Sequence, residues 1–283
     1  MCYTVFVNHR GCSAENCTAG QAMSWRRGRE ERMRILHITD LHAGGKQGLE
    51  REKEVWERLY REVAAVTEGR QKIDIIAVTG DLVTKGAEEE YRRVENYLQK
   101  LMEAVGLEKS QVFFCCGNHD ADTPDAESTF KGYEEFIERF YGGAVPQCPI
   151  PVYSINSCKR TSWKRFNDCW LDPDDVDEIL KKAEPGKKGI LLLHHQPEIF
   201  DDQTQMERLN KAVGLILGGH LHTGYTRQIT WKGMTVVNGM AVTPHLDFIP
   251  AGFQIVEWKE DKSVETVMYV FKENEGVIEV TAW

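Results

Sequence analysis

Short apolar runs that end in Asp, Asn or His recur along the middle of this 283-residue sequence. Longer amphipathic segments separate them, as after "RILHIT" at 34–39 and after "IDIIAVTG" at 73–80. This alternation of strand-length and helix-length segments is typical of βαβ units. The sequence therefore predicts an α/β fold in which the polar residues lie at the carboxyl ends of the strands, where open sheets bind ligands.

The remaining pattern predicts the other elements and the domain limits. Further strands are predicted at "QVFFCCG", "PVYSI", "GILLLHH" and "GLILGGH", and helices are predicted before Gly69 and Gly106, from 129 to 143, 173 to 183 and 203 to 212. From about 225 to 283 the residues alternate with a period of two, which predicts an antiparallel tail that covers or completes a sheet. Residues 1–32 show no clear period, so we interpret them as an N-terminal extension to a domain over residues 33–283.

Charge and cysteine spacing exclude several classes of protein. The net charge of −9 disfavours a protein that depends on bulk attraction to nucleic acid, although a local basic groove stays open. No apolar run of about 18 residues and no secretory signal are apparent, so we expect a soluble, cytoplasmic protein without a membrane partner. The eight cysteines contain no C-x-x-C pair suited to structural zinc, and we interpret them mostly as reduced thiols.

Five strand ends carry candidate functional residues in a fixed order. They are Asp40 and His42 in "TDLH", Asp81 in "TGDL", Asn118, His119 and Asp120 in "GNHD", His194 and His195 in "LLLHHQP", and His220 and His222 in "GGHLH". Each motif alone is typical of an ordinary turn, because Gly, Asp and Asn supply turn chemistry. Together they offer imidazole, carboxylate and amide ligands without a thiolate, a set that suits Mn²⁺, Fe, Zn²⁺ or Ni²⁺.

This ordered set resembles the calcineurin-like metallophosphoesterase superfamily over positions 34–222. The resemblance implies a central two-sheet β-sandwich flanked by helices, with two divalent transition-metal ions at the strand ends. By motif it assigns one ion to Asp40, His42 and His222, the other to Asn118, His194 and His220, and both to Asp81. Two such ions can share a hydroxide and clamp the oxygens of a phosphoryl group for in-line attack.

The resemblance leaves His119 without a metal. We expect His119 to protonate the leaving oxygen or stabilise its charge, and Asp120 to orient the His119 ring as carboxylates beside a functional imidazole often do. Spacing does not decide between His194 and His195 as the ligand. The resemblance favours His194, and His195 then has a supporting or packing role.

The residues after the second motif predict the substrate class. Protein Ser/Thr phosphatases of the superfamily carry Asp-Arg-Gly there, whereas this chain reads "GDLVTKGAEEEY" and is similar to the phosphodiesterase branch that includes class III cyclic nucleotide phosphodiesterases. We therefore expect hydrolysis of a small phosphodiester or nucleotide. A DNA or RNA nuclease of the same superfamily and a metal-free binding module are the alternatives, and the sequence does not indicate an oligomeric state.

One basic and aromatic segment could contact a substrate. The segment "CKRTSWKRFNDCWLD" at 158–172 brings Arg160 and Arg165 close to Trp163 in sequence. Bases stack on aromatic rings and phosphates prefer arginine, so a nucleotide could bind there. The alternative is a packed surface loop or a subunit contact.

Overall fold

The computed structural model describes residues 32–46, 48–70, 72–122, 129–161, 167–243, 249–273 and 276–281. Residues 1–31 of the predicted extension lie outside these described residues, as do two candidate substrate contacts, Trp163 and Arg165. Arg32, which the sequence analysis placed in the extension, is the first residue of the first strand.

The first of two mixed sheets has six strands in the order β11-β10-β9-β1-β2-β3. They are β1 Arg32–Ile38, β2 Ile75–Thr79, β3 Val112–Cys115, β9 Gly252–Lys259, β10 Val264–Phe271 and β11 Val277–Thr281. The strands β1, β2 and β3 are parallel, and β9 joins the other side of β1 in antiparallel register with His37 opposite Gln254. All five residues of β2 are buried, as expected for a parallel strand covered on both faces.

The second sheet has five strands in the order β4-β5-β6-β8-β7. They are β4 Val152–Ser154, β5 Gly189–Leu192, β6 Val213–Gly218, β7 Arg227–Trp231 and β8 Met234–Asn238. The predicted antiparallel tail is thus divided between the sheets, and β8 pairs parallel to β6. On its other edge β8 pairs antiparallel with β7, as predicted, and Val236 and Val237 pack into cores on opposite faces of the sheet.

Alternate residues of β1 show how the layers stack. Leu36 and Ile38 pack against the helices, whereas Met33 and Ile35 pack against residues of the second sheet. The helices on the first sheet are α1 Gly48–Thr67, α2 Glu88–Val105 and α3 Lys131–Tyr141, and those on the second sheet are α4 Pro173–Lys182 and α5 Thr204–Leu209. The structure therefore confirms the expected α/β architecture of a two-sheet sandwich flanked by helices.

The helix ends agree with the sequence signals. Helix α2 ends before Gly106, whose φ of 70° is the left-handed conformation that glycine adopts at helix C-termini. Helix α4 begins at Pro173 after Asp172, whose side chain accepts a hydrogen bond from the Asp174 backbone N–H. Among the described helices, none is both long and apolar enough to cross a bilayer.

Candidate metal centre

The predicted residues meet where the parallel strands of both sheets end. Asp40 and Asp81 come after β1 and β2, and the two loops continue the ladder beyond the sheet, since Asp40 N donates to the Gly80 carbonyl at 3.1 Å and His42 N donates to the Asp81 carbonyl at 3.0 Å. Asn118 comes after β3 in the first sheet. His194 comes after β5 and His220 after β6 in the second sheet, so the sandwich brings both sets of strand ends to one edge.

The backbone of the candidate ligands is unusual. Among the described residues other than glycine, seven have φ in the left-handed region, and five of these are Asp40, His42, Asp81, His220 and His222, with φ between 45° and 75°. Such conformations are unfavourable for residues with a Cβ and persist at sites where the surrounding structure enforces them. The fold therefore accepts local strain to present these five side chains.

A first ligand group consists of Asp40, His42, Asp81 and His222, whose ligand atoms all lie within 4.8 Å of one another. Nε2 of His222 lies 3.1 Å from Asp40 Oδ1 and 2.9 Å from His42 Nε2. The other oxygen of Asp40 accepts hydrogen bonds from the Thr39 hydroxyl at 2.8 Å and the His220 backbone N–H at 3.0 Å. One carboxylate oxygen is thus held by protein donors while the other faces the imidazoles.

A second ligand group consists of Asp81, His194 and His220, again with ligand atoms within 4.8 Å of one another. Oδ2 of Asp81 lies 3.4 Å from His194 Nε2 and 3.6 Å from His42 Nε2, so one carboxylate oxygen lies next to imidazoles of both groups. Its Oδ1 accepts the His119 backbone N–H at 2.8 Å. The two groups of candidate metal ligands are therefore adjacent and share Asp81.

Among the described residues, the buried atoms without a hydrogen-bond partner include Asn118 Oδ1 and His194 Nε2, which belong to ligands predicted for the same ion. Nδ1 of His194 lies 2.8 Å from the Thr79 carbonyl oxygen, which can only accept, so in the neutral ring, the form that binds a metal, Nδ1 carries the proton and Nε2 carries the lone pair. Asn118 lies between Gly117 and His119, both of which contact the Asp81 carboxylate. A buried polar atom without a partner is costly, and a cation would satisfy both atoms.

Glycine makes the close packing of this centre possible. A Cβ at Gly80 would lie 2.4 Å from His194 Nδ1, and a Cβ at Gly117 would lie 2.2 Å from Asp81 Oδ1. Contacts this short are forbidden for real side chains. Both glycines are therefore required by the approach of neighbouring ligands, and Gly80, with a φ of 89°, is also required by turn geometry.

The carboxylates and histidines of the centre shift one another's pKa values. Burial alone would raise the pKa of Asp40 and Asp81, but neighbouring histidines outweigh burial and hold both carboxyl pKa values well below their usual range. Burial alone would lower the pKa of His194, but the attraction of Asp81 raises it to about 9, and Asp40 likewise raises the pKa of His222. Burial dominates at His42 and lowers its pKa to about 3. The two buried carboxylates thus draw positive charge, which protons supply when no metal is bound.

The structure corrects the role predicted for Asp120. Its buried carboxylate accepts from the backbone N–H groups of Leu82, Val83 and Gly117 at 2.8–3.2 Å. The ring Nδ1 of His119 instead lies 3.1 Å from the Thr84 carbonyl. The expectation that Asp120 orients the His119 ring was wrong, because Asp120 joins the loops after β2 and β3 through their backbones.

His194 and His195 face opposite sides of the strand end. His194 is part of the second ligand group, whereas the buried His195 has its Nδ1 2.9 Å from the Ser157 hydroxyl and belongs to neither group. The His195 ring lies 4.5 Å from the His220 ring, measured between centroids. His195 therefore packs beside the ring of His220 without belonging to either ligand group.

The segment after β4 reaches the centre through a residue that the sequence analysis did not single out. Oδ1 of Asn167 lies 3.2 Å from His220 Nε2. Arg160 is exposed and its guanidinium lies 4.0 Å from the Trp170 ring centroid, so it covers one face of that ring. The basic and aromatic composition pointed to this segment, but the composition could not identify Asn167.

Several proteins with known names are similar to this chain in sequence. A probable glycerophosphodiester phosphodiesterase of Arcobacter nitrofigilis is 23% identical over 83% of this chain and 92% of its own length. A 3',5'-cyclic-nucleotide phosphodiesterase of a Nostoc strain is 24% identical over 69% of this chain and 73% of its own length.

A purple acid phosphatase from yellow lupin seeds has the same fold, with a TM-score of 0.51 and 14% sequence identity over 90% of this chain and 54% of that chain. Residues 33–224, well over half of the chain, match the model of the calcineurin-like phosphoesterase family. The chain therefore belongs to the calcineurin-like phosphoesterase family.

Proposed function

We propose that the protein is a dimetal-dependent phosphodiesterase that hydrolyses a small phosphodiester. The observation that carries this proposal is the position of Asp81 Oδ2, 3.4 Å from His194 Nε2 and 3.6 Å from His42 Nε2, between two groups of metal-ligating side chains. A single tetrahedral ion needs four ligands, and the two groups together with Asn118 offer seven. Two ions that both used Asp81 as a ligand would account for all of them.

The donors fit divalent transition metals. One ion would be held by Asp40, His42, Asp81 and His222, and the other by Asp81, Asn118, His194 and His220. Nitrogen and oxygen donors without a thiolate suit Mn²⁺, Fe, Zn²⁺ or Ni²⁺, and the set does not choose among them. The unpartnered Asn118 Oδ1 and His194 Nε2 support the second site.

The catalytic roles of the residues depend on which of their atoms already make hydrogen bonds. A bound pair of ions supplies an acidified water and neutralises charge on the phosphoryl group. His119 is the candidate proton donor to the leaving oxygen, because its backbone N–H is used by Asp81 and its Nδ1 by the Thr84 carbonyl. Nδ1 then keeps its proton, and any proton transferred to the leaving group comes from Nε2 of the protonated ring.

Two observations support a diester over a monoester substrate. The second motif departs from the Ser/Thr phosphatase pattern, and relatives carry names that specify glycerophosphodiesters and cyclic nucleotides. The net charge of −9 also favours a small substrate over a nucleic-acid duplex. We therefore propose a glycerophosphodiester or nucleotide-sized diester.

Metal analysis combined with a substrate panel tests this function. We expect two bound transition-metal ions per chain, and faster hydrolysis of bis-p-nitrophenyl phosphate, glycerophosphodiesters or cyclic nucleotides than of p-nitrophenyl phosphate. Asp81→Asn is the control for contaminating enzymes and should abolish the activity. Faster cleavage of duplex DNA at physiological salt would favour the nuclease, and a reconstituted protein without ions would favour the binding module.

A further inference from the structure

The hydroxyl of Thr39 lies between the supports of both candidate ion sites. Thr39 is fully buried, and its Oγ1 lies 2.8 Å from Asp40 Oδ2 and 3.0 Å from the Thr79 carbonyl oxygen. Asp40 belongs to the first ligand group. The Thr79 carbonyl accepts the hydrogen bond from His194 Nδ1 that orients a member of the second group.

A hydroxyl has one proton, so the two acceptors compete for it. The ionised carboxylate is the stronger and nearer acceptor and takes the larger share of the proton, while the Thr79 carbonyl oxygen takes the smaller share of a three-centre hydrogen bond. Asp40 Oδ2 then has two donors, Thr39 Oγ1 and the His220 backbone N–H, which turn Oδ1 toward His222. The same hydroxyl keeps the Thr79 peptide beside Asp40.

Close packing keeps water from replacing this hydroxyl. A Cβ at Gly219 would lie 1.9 Å from Thr39 Oγ1 and 2.8 Å from Asp40 Oδ2, so the backbone before His220 packs directly on the pair. Valine has nearly the shape of threonine. At position 39 it would remove the donor without opening space for a water molecule, and Asp40 would lose a charge-assisted hydrogen bond.

We propose that Thr39 is a positioning residue that orients both ion sites through one hydroxyl. The inference rests on the proposed function, since it presumes that the two ligand groups bind ions. Removing the hydroxyl should weaken both sites, because the first loses the orientation of Asp40 and the second loses the anchored peptide that holds His194.

The test compares Mn²⁺ binding to wild type, Thr39→Val and Thr39→Ser by equilibrium dialysis of metal-depleted protein. We expect Thr39→Val to weaken binding at both sites by about 10–100-fold, the usual effect of losing a partner of a metal ligand. Thr39→Ser should restore affinity to within a few-fold. Thr266→Val is the matched control, because Thr266 is a buried β10 residue whose hydroxyl has no hydrogen-bond partner among the described residues, and it should bind Mn²⁺ like wild type.

Several outcomes would overturn the inference. Wild-type affinity in Thr39→Val, loss at one site only, or equal loss in the serine and valine variants would each do so. Thr39→Ala also lacks the hydroxyl and should lose affinity at both sites, so the test does not depend on the folding of the valine variant. If wild type itself binds fewer than two ions, the proposed function fails and not the role of Thr39 alone.

Discussion

Asn118 and His119 are adjacent in sequence, but their side chains differ in the hydrogen-bond partners that the protein provides. Asn118 Oδ1 is buried without a hydrogen-bond partner among the described residues, whereas His119 Nδ1 faces the Thr84 carbonyl. A buried oxygen without a hydrogen-bond partner is the pattern expected of a metal ligand. An imidazole that is held through one ring nitrogen can donate a proton from the other ring nitrogen. Their substitutions should therefore separate metal binding from proton transfer.

We expect Asn118→Ala to lower the metal content and His119→Ala to keep both ions. The histidine variant should lose roughly 10² to 10⁴ in turnover, the usual size of general acid catalysis. The loss should be smaller with p-nitrophenyl esters, because their leaving group needs no proton. Elemental analysis with turnover on poor and good leaving groups measures both effects. If His119→Ala loses an ion, His119 is a ligand and the assignment is wrong.

Asp120→Asn tests the corrected role of that carboxylate. An amide would place an NH₂ group against one of the backbone donors Leu82, Val83 or Gly117, leaving a buried group unsatisfied at a cost of about 1–3 kcal/mol. We expect a lower melting temperature and an activity loss that is the same for good and poor leaving groups. A loss that depends on the leaving group, with unchanged stability, would restore the catalytic role.

Strand periodicity explains how far the site was predictable. In β5 and the residue after it, the side chains of Ile190 and Leu192 pack between the sheets, and those of Leu191 and Leu193 pack against the helices. The same alternation places His194 and His195 on opposite sides, but which side holds the ions depends on how the second sheet packs, a tertiary property. Similarly, the ligand types were readable from the motifs, whereas the contact between His119 and the Thr84 carbonyl is a backbone contact that no motif records.

The loop after β2 tests whether the glycines serve packing or only conformation. Gly80 has a φ of 89°, and an added Cβ would also collide with His194 Nδ1. Gly69, just after α1, has a φ of 66° with nothing within 4 Å of an added Cβ. Gly69→Ala should therefore cost only the roughly 1–2 kcal/mol of a left-handed residue.

Gly80→Ala should lower the melting temperature more than Gly69→Ala does. It should also lower the metal content, because His194 must move. Thermal unfolding and elemental analysis of the two variants measure this difference. Equal destabilisation with full metal content in both would mean that the loop adjusts and that the close contact is not required.

For the whole molecule, removal of metal should make stability depend on pH in a defined way. In the metal-free protein, Asp81 raises the pKa of His194 to about 9, and the pKa of His222 is also raised. The stabilising protons are fully bound below the unfolded pKa of about 6.5 and are lost as the pH rises above it, at His194 toward about 9. Burial lowers the pKa of His42 to about 3 and that of His220 to about 4. These two rings are neutral in the folded protein, so the folded protein loses stability as the pH falls below about 6.5 and protons bind the unfolded chain more tightly.

We therefore expect the metal-free protein to be most stable near pH 6.5 and to weaken on both sides. The metal-loaded protein should not weaken between pH 6.5 and 9, because ions replace the protons. Melting temperatures across this range, in chelator and in Mn²⁺, measure the difference. If the melting temperature depended on pH in the same way in both forms, the attraction of Asp81 for the proton of His194 would be contradicted.

The last prediction concerns the start of the folded domain. Strand β1 lies between β9 and β2, so both of its edges are paired within the described residues. A chain that starts at Met33 loses Arg32, whose guanidinium lies 2.9 Å from Glu257 and is partly exposed, but keeps the Arg34 ion pair with the same carboxylate. Partly exposed pairs contribute about 0–1 kcal/mol, so we expect a melting temperature within a few degrees of the full chain and unchanged metal content. A large drop or an insoluble product would show that residues 1–32 are part of the domain.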